Sequence, residues 1–184
     1  MTKIAMVDLM FSWPPHGGGC LDLKETATGL KRLGYDVHLF AANCAWAWQR
    51  GTIDEELLDF PVHKIDFTYR TFNRFSLPKR FRTAVDSFEP DIVFFGDSYF
   101  MKPFLIRAFA DYPIVARFYT YEIFCPRYYM LFRDHKICDT HYLKSPLYCL
   151  QCALKDMRGP ILRWRYDVWS HEFIASLAFL PGYY

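Results

Sequence analysis

No stretch of this 184-residue chain reaches the roughly 18 consecutive apolar residues of a membrane-spanning helix. The opening residues, Met1-Thr2-Lys3, run straight into a strand-like segment, and no small-residue cleavage site follows. That pattern argues against a signal peptide and for a cytoplasmic location. Net charge is scarce as well. Lys and Arg number 22 against 20 Asp and Glu, and the resulting +2 is too little for bulk nucleic-acid binding. Internal repeats, low-complexity linkers, a G-x-G-x-x-G fingerprint and a P-loop are all missing. The length suits one well-buried domain and would crowd two. In a reducing compartment the six cysteines are thiols or metal ligands more readily than disulfides.

What is present is apolar and aromatic: 52% hydrophobic and 20% aromatic residues mark a globular chain. The periodicity alternates between two kinds of segment. Apolar runs at Lys3–Leu9, Asp36–Ala42, Asp91–Gly96 and Pro113–Phe118 read as strands, the first covered on both faces and Asp91–Gly96 central in the sheet. Val62–Phe67 alternates apolar and polar residues and reads as a less buried strand. Between them, Leu21–Leu33, Ile53–Leu58, Leu77–Phe88 and Phe100–Ala110 read as helices. Leu23, Ala27, Leu30 and Leu33 share one face of the first, and Gly34 stops it. Phe81, Ala84, Val85 and Phe88 form the buried face of the third; Met101, Phe104, Leu105 and Ala108 form that of the fourth. Strand–helix alternation of this kind predicts an α/β fold with a Rossmann-like, doubly wound parallel sheet. A sixth strand is expected at Phe173-Ile174-Ala175-Ser176.

The loop Trp13-Pro14-Pro15-His16-Gly17-Gly18-Gly19 links the first strand to the first helix, at the carboxyl edge of the sheet where ligands bind in such folds. Three glycines let a ligand approach the backbone, and a helix N-terminus favours an anion such as a diphosphate. A loop that needs tight turns would use the same glycines.

Beyond Tyr119 the alternation breaks down into an irregular segment over residues 119–165. Cys125, Cys138, Cys149 and Cys152 lie there as C-x12-C-x10-C-x2-C. The final C-x2-C is a metal-knuckle spacing, and four thiolates suit tetrahedral zinc. An iron–sulfur cluster, free thiols and disulfides are the alternatives, with His135 and His141 as substitute ligands. Cys20 and Cys44 read as ordinary buried thiols. The segment Tyr69–Arg82 carries five cations and no acid, interleaved with aromatics. It serves a peripheral contact with anionic lipid, a single-stranded nucleic acid, which would use the same residue types, or a solvated helix start with Phe72 and Phe75 packed inward.

Taken together, several features carry a resemblance. They are the first strand, Pro14-Pro15 with Gly17-Gly18-Gly19, the helix closing in Leu33-Gly34-Tyr35-Asp36-Val37, Pro90-Asp91-Ile92-Val93, Pro113-Ile114-Val115 and the segment opening at Cys125-Pro126. In this order the chain resembles the amino-terminal domain of a glycosyltransferase with the GT-B fold, most similar to family 4. The resemblance implies transfer of a sugar from a nucleotide-sugar donor to a sugar or lipid-linked acceptor, without a cofactor required for transfer. It implies that this half holds mainly the acceptor, that a carboxy-terminal domain beyond Tyr184 holds the donor, and that the fragment alone is inactive. Gly17, Gly18 and Gly19 match the loop whose amides approach the donor diphosphate, with His16 beside them. Asp97 and Ser98 are placed for acceptor binding, or cap a helix. Many relatives carry His-Asp six residues before the Cys-Pro step; here Tyr119 and Thr120 stand there, followed by Tyr121 and Glu122. Tyr119 and Tyr121 become candidate acceptor contacts. Glu122 is either the base for an acceptor hydroxyl or the ion-pair partner of Arg117 or Arg127. A nucleotide-sugar epimerase half and a metal-stapled binding module without catalysis are the competing functions.

Overall fold

The computed structural model describes residues 1–43, 52–68, 70–98, 101–122, 124–125, 137–152 and 155. Expectations placed on Cys44, Trp46, Trp48, Tyr69, Arg127, His135 and the strand at 173–176 lie outside these residues. Two compact units divide the chain, Met1–Arg117 and Phe118–Tyr184.

The first unit contains five strands: β1 (Lys3–Asp8), β2 (Asp36–Asn43), β3 (Val62–Asp66), β4 (Ile92–Phe95) and β5 (Ile114–Ala116). They pair in parallel in the order β3-β2-β1-β4-β5. That order reverses direction between β1 and β4, which makes the crevice above those two strands the topological switch point. Helices α1 (Gly18–Arg32), α2 (Ser76–Asp86) and α3 (Lys102–Ala108) connect the strands. Residues predicted to form a helix at Ile53–Leu58 make only a 3-10 turn at Glu55–Leu57, N-capped by the Asp54 side chain.

Side-chain alternation along the strands gives each helix layer its own core. Under α1 lie Ile4, Met6, Val37, Leu39, Ala41 and Phe94, packed with Leu23 and Ala27. Burying a side chain such as Leu23 stabilises the fold by about 1.5–3 kcal/mol. Toward α2 and α3 the sheet turns Phe40 and Phe95; Phe95 meets Phe109 edge-on at 5.6 Å. Phe81 and Val85 of α2 are fully buried, as their spacing predicts. β3 is the edge strand, which explains its half-exposed alternation.

Both ends of α1 differ from the sequence reading. Helix α1 starts at Gly18, three residues before the apolar periodicity begins, so Gly18 and Gly19 are helical and Gly17 is the N-cap. Leu33, expected on the buried face, is 76% exposed, because α1 ends one residue earlier. The chain reverses there through Gly34 at φ 90°, a conformation that glycine adopts freely.

The second unit is described in pieces. A helical turn over residues 146–152 carries Cys149 and Cys152, and Tyr142 N donates to Phe124 O at 3.0 Å. Among the described residues no helix is long and apolar enough to cross a membrane.

Candidate functional site at the switch point

Asp8 closes β1 and is the only charged side chain in the apolar stretch Ile4–Asp8. Its residue is 2% exposed. One oxygen accepts from Met10 N at 2.7 Å, and Oδ2 accepts from Asp97 N at 2.6 Å across the β1–β4 gap. Leu9 N in turn donates to Asp97 O at 2.8 Å. The two loops that leave β1 and β4 are therefore tied together at their roots. Gly96 makes this possible: a Cβ there would collide with Asp8 Oδ2 and come within 3.1 Å of Leu23 Cδ1. Burial, then the neighbouring Asp97 carboxylate, push the Asp8 carboxyl up to about 8; the two backbone N–H groups and Lys102 pull the other way. At neutral pH Asp8 is largely protonated.

Lys102 is fully buried at the start of α3, and its ammonium donates to Arg117 O at 2.7 Å, just past β5. Arg117 reaches back to Asp22 of α1 at 2.6 Å. These contacts fix the floor of the crevice from β1 to β5.

One wall of the crevice is the loop that leads into α1. His16, Gly17, Gly18 and Gly19 follow one another there, with Gly18 and Gly19 already in α1. The N-cap Gly17 makes no side-chain cap bond and no acidic residue lies in the first turn of α1, so among the described residues neither a cap nor a first-turn carboxylate offsets the positive end of the helix. Gly17 has φ −172°, which any residue adopts, and a Cβ at Gly17 or Gly18 would meet nothing within 4 Å. Neither internal packing nor backbone conformation calls for glycine at these two positions. His16 is exposed, and its Nδ1 lies 3.0 Å from the hydroxyl of Ser12, a fully buried residue. Ser12 Oγ is also 3.7 Å from Cys20 Sγ, and Cys20 donates to Met10 O at 3.7 Å.

Asp97 and Ser98 form the opposite root. Ser98 is fully buried, and its hydroxyl has no hydrogen-bond partner among the described residues. α3 begins instead with Met101 as its N-cap, without a side-chain cap bond. Tyr119, Tyr121, Glu122 and the four cysteines belong to the second unit. Tyr121 is 55% exposed and Glu122 is buried.

Cys125, Cys138, Cys149 and Cys152 are reduced and share a neighbourhood. Burial pushes the Cys149 thiol up to about 11, with Cys125, Cys138 and Cys152 adding to the rise. Among the described residues, however, no three His, Cys, Asp or Glu side chains are grouped to hold a metal ion.

The basic segment is partly consumed by the fold. Phe72 and Phe81 are buried, whereas Phe75 is 73% exposed with the Arg74 guanidinium 4.6 Å from its ring centre. Arg80 donates to Asp66 O at 3.0 Å. Arg82 is bound by Asp111 and by Asp86, which together hold it above its ordinary range.

Sequence reasoning missed Asp8, Ser12 and Lys102. Asp8 had a readable signal, a lone acid closing an apolar parallel strand. Ser12 and Lys102 had none, since their partners are set by tertiary structure. No protein-family model matches the chain, and no curated protein is found similar to it.

Proposed function

We propose that the chain is the acceptor-side domain of a GT-B-type sugar transferase, in which the amides at the start of α1 and the imidazole of His16 meet the diphosphate of a nucleotide-sugar donor. The observation that carries this is the start of α1 at the switch point, which has no side-chain cap and where a Cβ at Gly17 or Gly18 would meet nothing within 4 Å among the described residues. Backbone N–H groups at such a helix end are preorganised donors. As the sugar departs, charge grows on the diphosphate, and donors aimed there stabilise the transition state. The parallel five-stranded order supports the same reading, because ligands of such sheets bind at this edge.

Asp97, at the root of the loop that leaves β4, is assigned to a hydroxyl of the acceptor, whereas the fully buried Ser98 is left out of that role. Exposed Phe75, with Arg70, Arg74 and Lys79 nearby in sequence, suits an acceptor carried on an anionic lipid surface. Glu122 has two roles open to it, base for the acceptor hydroxyl or buried structural partner. The test is incubation of the native full-length protein with a panel of nucleotide sugars. Release of nucleoside diphosphate from one donor, reduced at least tenfold by Gly18→Val, is expected. Release from none would overturn the proposal.

A further inference from the structure

The contacts of His16 bear on which of its ring nitrogens carries the proton. Cys20 has a single S–H, and it is directed to Met10 O at 3.7 Å. Ser12 has a single O–H and two neighbours, His16 Nδ1 at 3.0 Å and Cys20 Sγ at 3.7 Å. An imidazole nitrogen is a far better acceptor than a thiol sulfur, and it is also the nearer atom. Donation of the hydroxyl to Nδ1 leaves that nitrogen bare and puts the ring proton on Nε2; the reverse relay, Nδ1–H to Ser12 Oγ with the hydroxyl on Cys20 Sγ, relies on the longer and weaker bond. Ser12 is fully buried and His16 is exposed. Nε2 lies on the far side of the ring from Ser12, and His16 has no other polar partner among the described residues.

We infer that Ser12 is a positioning residue that locks His16 with its Nε2–H facing outward, as a hydrogen-bond donor to a diphosphate seated on the first amides of α1. This rests on the diphosphate reading and sharpens it: His16 is a donor to the anion and not a general base. It stands just before the Gly17 N-cap, next in sequence to the first amides of α1. A buried serine also gives the loop something that glycines cannot, a fixed anchor between the end of β1 and α1.

The experiment uses the chain with 15N-labelled histidine. Long-range proton–nitrogen spectra, recorded without ligand at a pH where His16 is neutral, report the tautomer. The Nε2–H form should dominate in the wild type, become a mixture in Ser12→Ala, and return in Ser12→Thr. Inorganic pyrophosphate is then added. It should shift His16 Nε2, and Ser12→Ala should weaken binding on the order of fivefold, the worth of one hydrogen bond of about 1 kcal/mol. A proton on Nδ1 in the wild type, or an unchanged tautomer in Ser12→Ala, overturns the role of Ser12. The stated tautomer with no response to pyrophosphate overturns the diphosphate reading instead. Amide spectra of both variants check that each is folded.

Discussion

Asp8 and Gly96 face each other across the β1–β4 ladder, and the Asp8 carboxyl fills the space that a side chain on residue 96 would need. Through this contact Asp8 reaches Asp97 N and joins the two loops of the crevice at their base.

Gly96→Ala should therefore be costly although alanine is the smallest possible addition. The new methyl displaces Asp8 Oδ2 or bends β4, an overpacking penalty of about 1–3 kcal/mol. Chemical denaturation of the two proteins should show this as a lower midpoint with an unchanged slope. An unchanged midpoint would mean that Asp8 can move aside freely.

The raised Asp8 carboxyl makes stability depend on pH in an unusual direction. Its folded-state value of about 8 exceeds the ordinary 3.8, so the folded chain holds a proton that the unfolded chain has released. The stabilisation is complete below pH 3.8 and is lost as pH rises toward 8. Relative to Asp8→Asn, the wild type should lose up to about 1.4 kcal/mol per pH unit inside that window. His38 and His63, both lowered by burial, contribute in the opposite sense, with stability lost as pH falls below their folded values. They are common to both proteins and cancel in the comparison. Parallel pH curves for wild type and Asp8→Asn would contradict the placement of the proton.

Much of this was legible in the chain itself, but unevenly. β1, β2 and β4 are short apolar runs between breakers, and the alternation in β3 foretold a less buried strand. The start of α1 was not legible, since Gly18 and Gly19 carry no hydrophobic period and weak helix propensity. Phe75 and Phe72 are equally aromatic neighbours in sequence, yet only Phe72 meets the core; it packs against Phe67. The Asp8–Asp97 contact spans 89 positions, a distance over which pattern reading has no signal. The glycine loop was seen for its composition, whereas Ser12, which holds His16, was not.

Phe75 and Arg82 separate surface recognition from stability. Phe75→Ser should leave the melting temperature nearly unchanged, as an exposed substitution does. In a liposome sedimentation assay it should lower recovery with anionic vesicles several-fold. Arg82→Met should do the reverse, since Arg82 ties α2 to Ala108 O and Asp111 at the end of α3. Equal recovery with neutral and anionic vesicles, unaffected by salt, would remove the lipid surface from the account.

Glu122→Gln distinguishes the two roles of that carboxyl. As a base it is needed for turnover, so the variant should keep its melting temperature and lose at least a hundredfold in kcat. A lowered melting temperature with kcat retained would assign Glu122 to structure.

The central claim is that the start of α1 receives a diphosphate, and amide spectroscopy tests it most directly. Uridine diphosphate is titrated into the 15N-labelled chain, through the range where a site with a Kd of about 1 mM fills. The account predicts that the amides of Gly17, Gly18 and Gly19 shift together and saturate, and that Gly18→Val abolishes the response. Glycine amides that stay still while the ligand binds elsewhere, or does not bind, would contradict it.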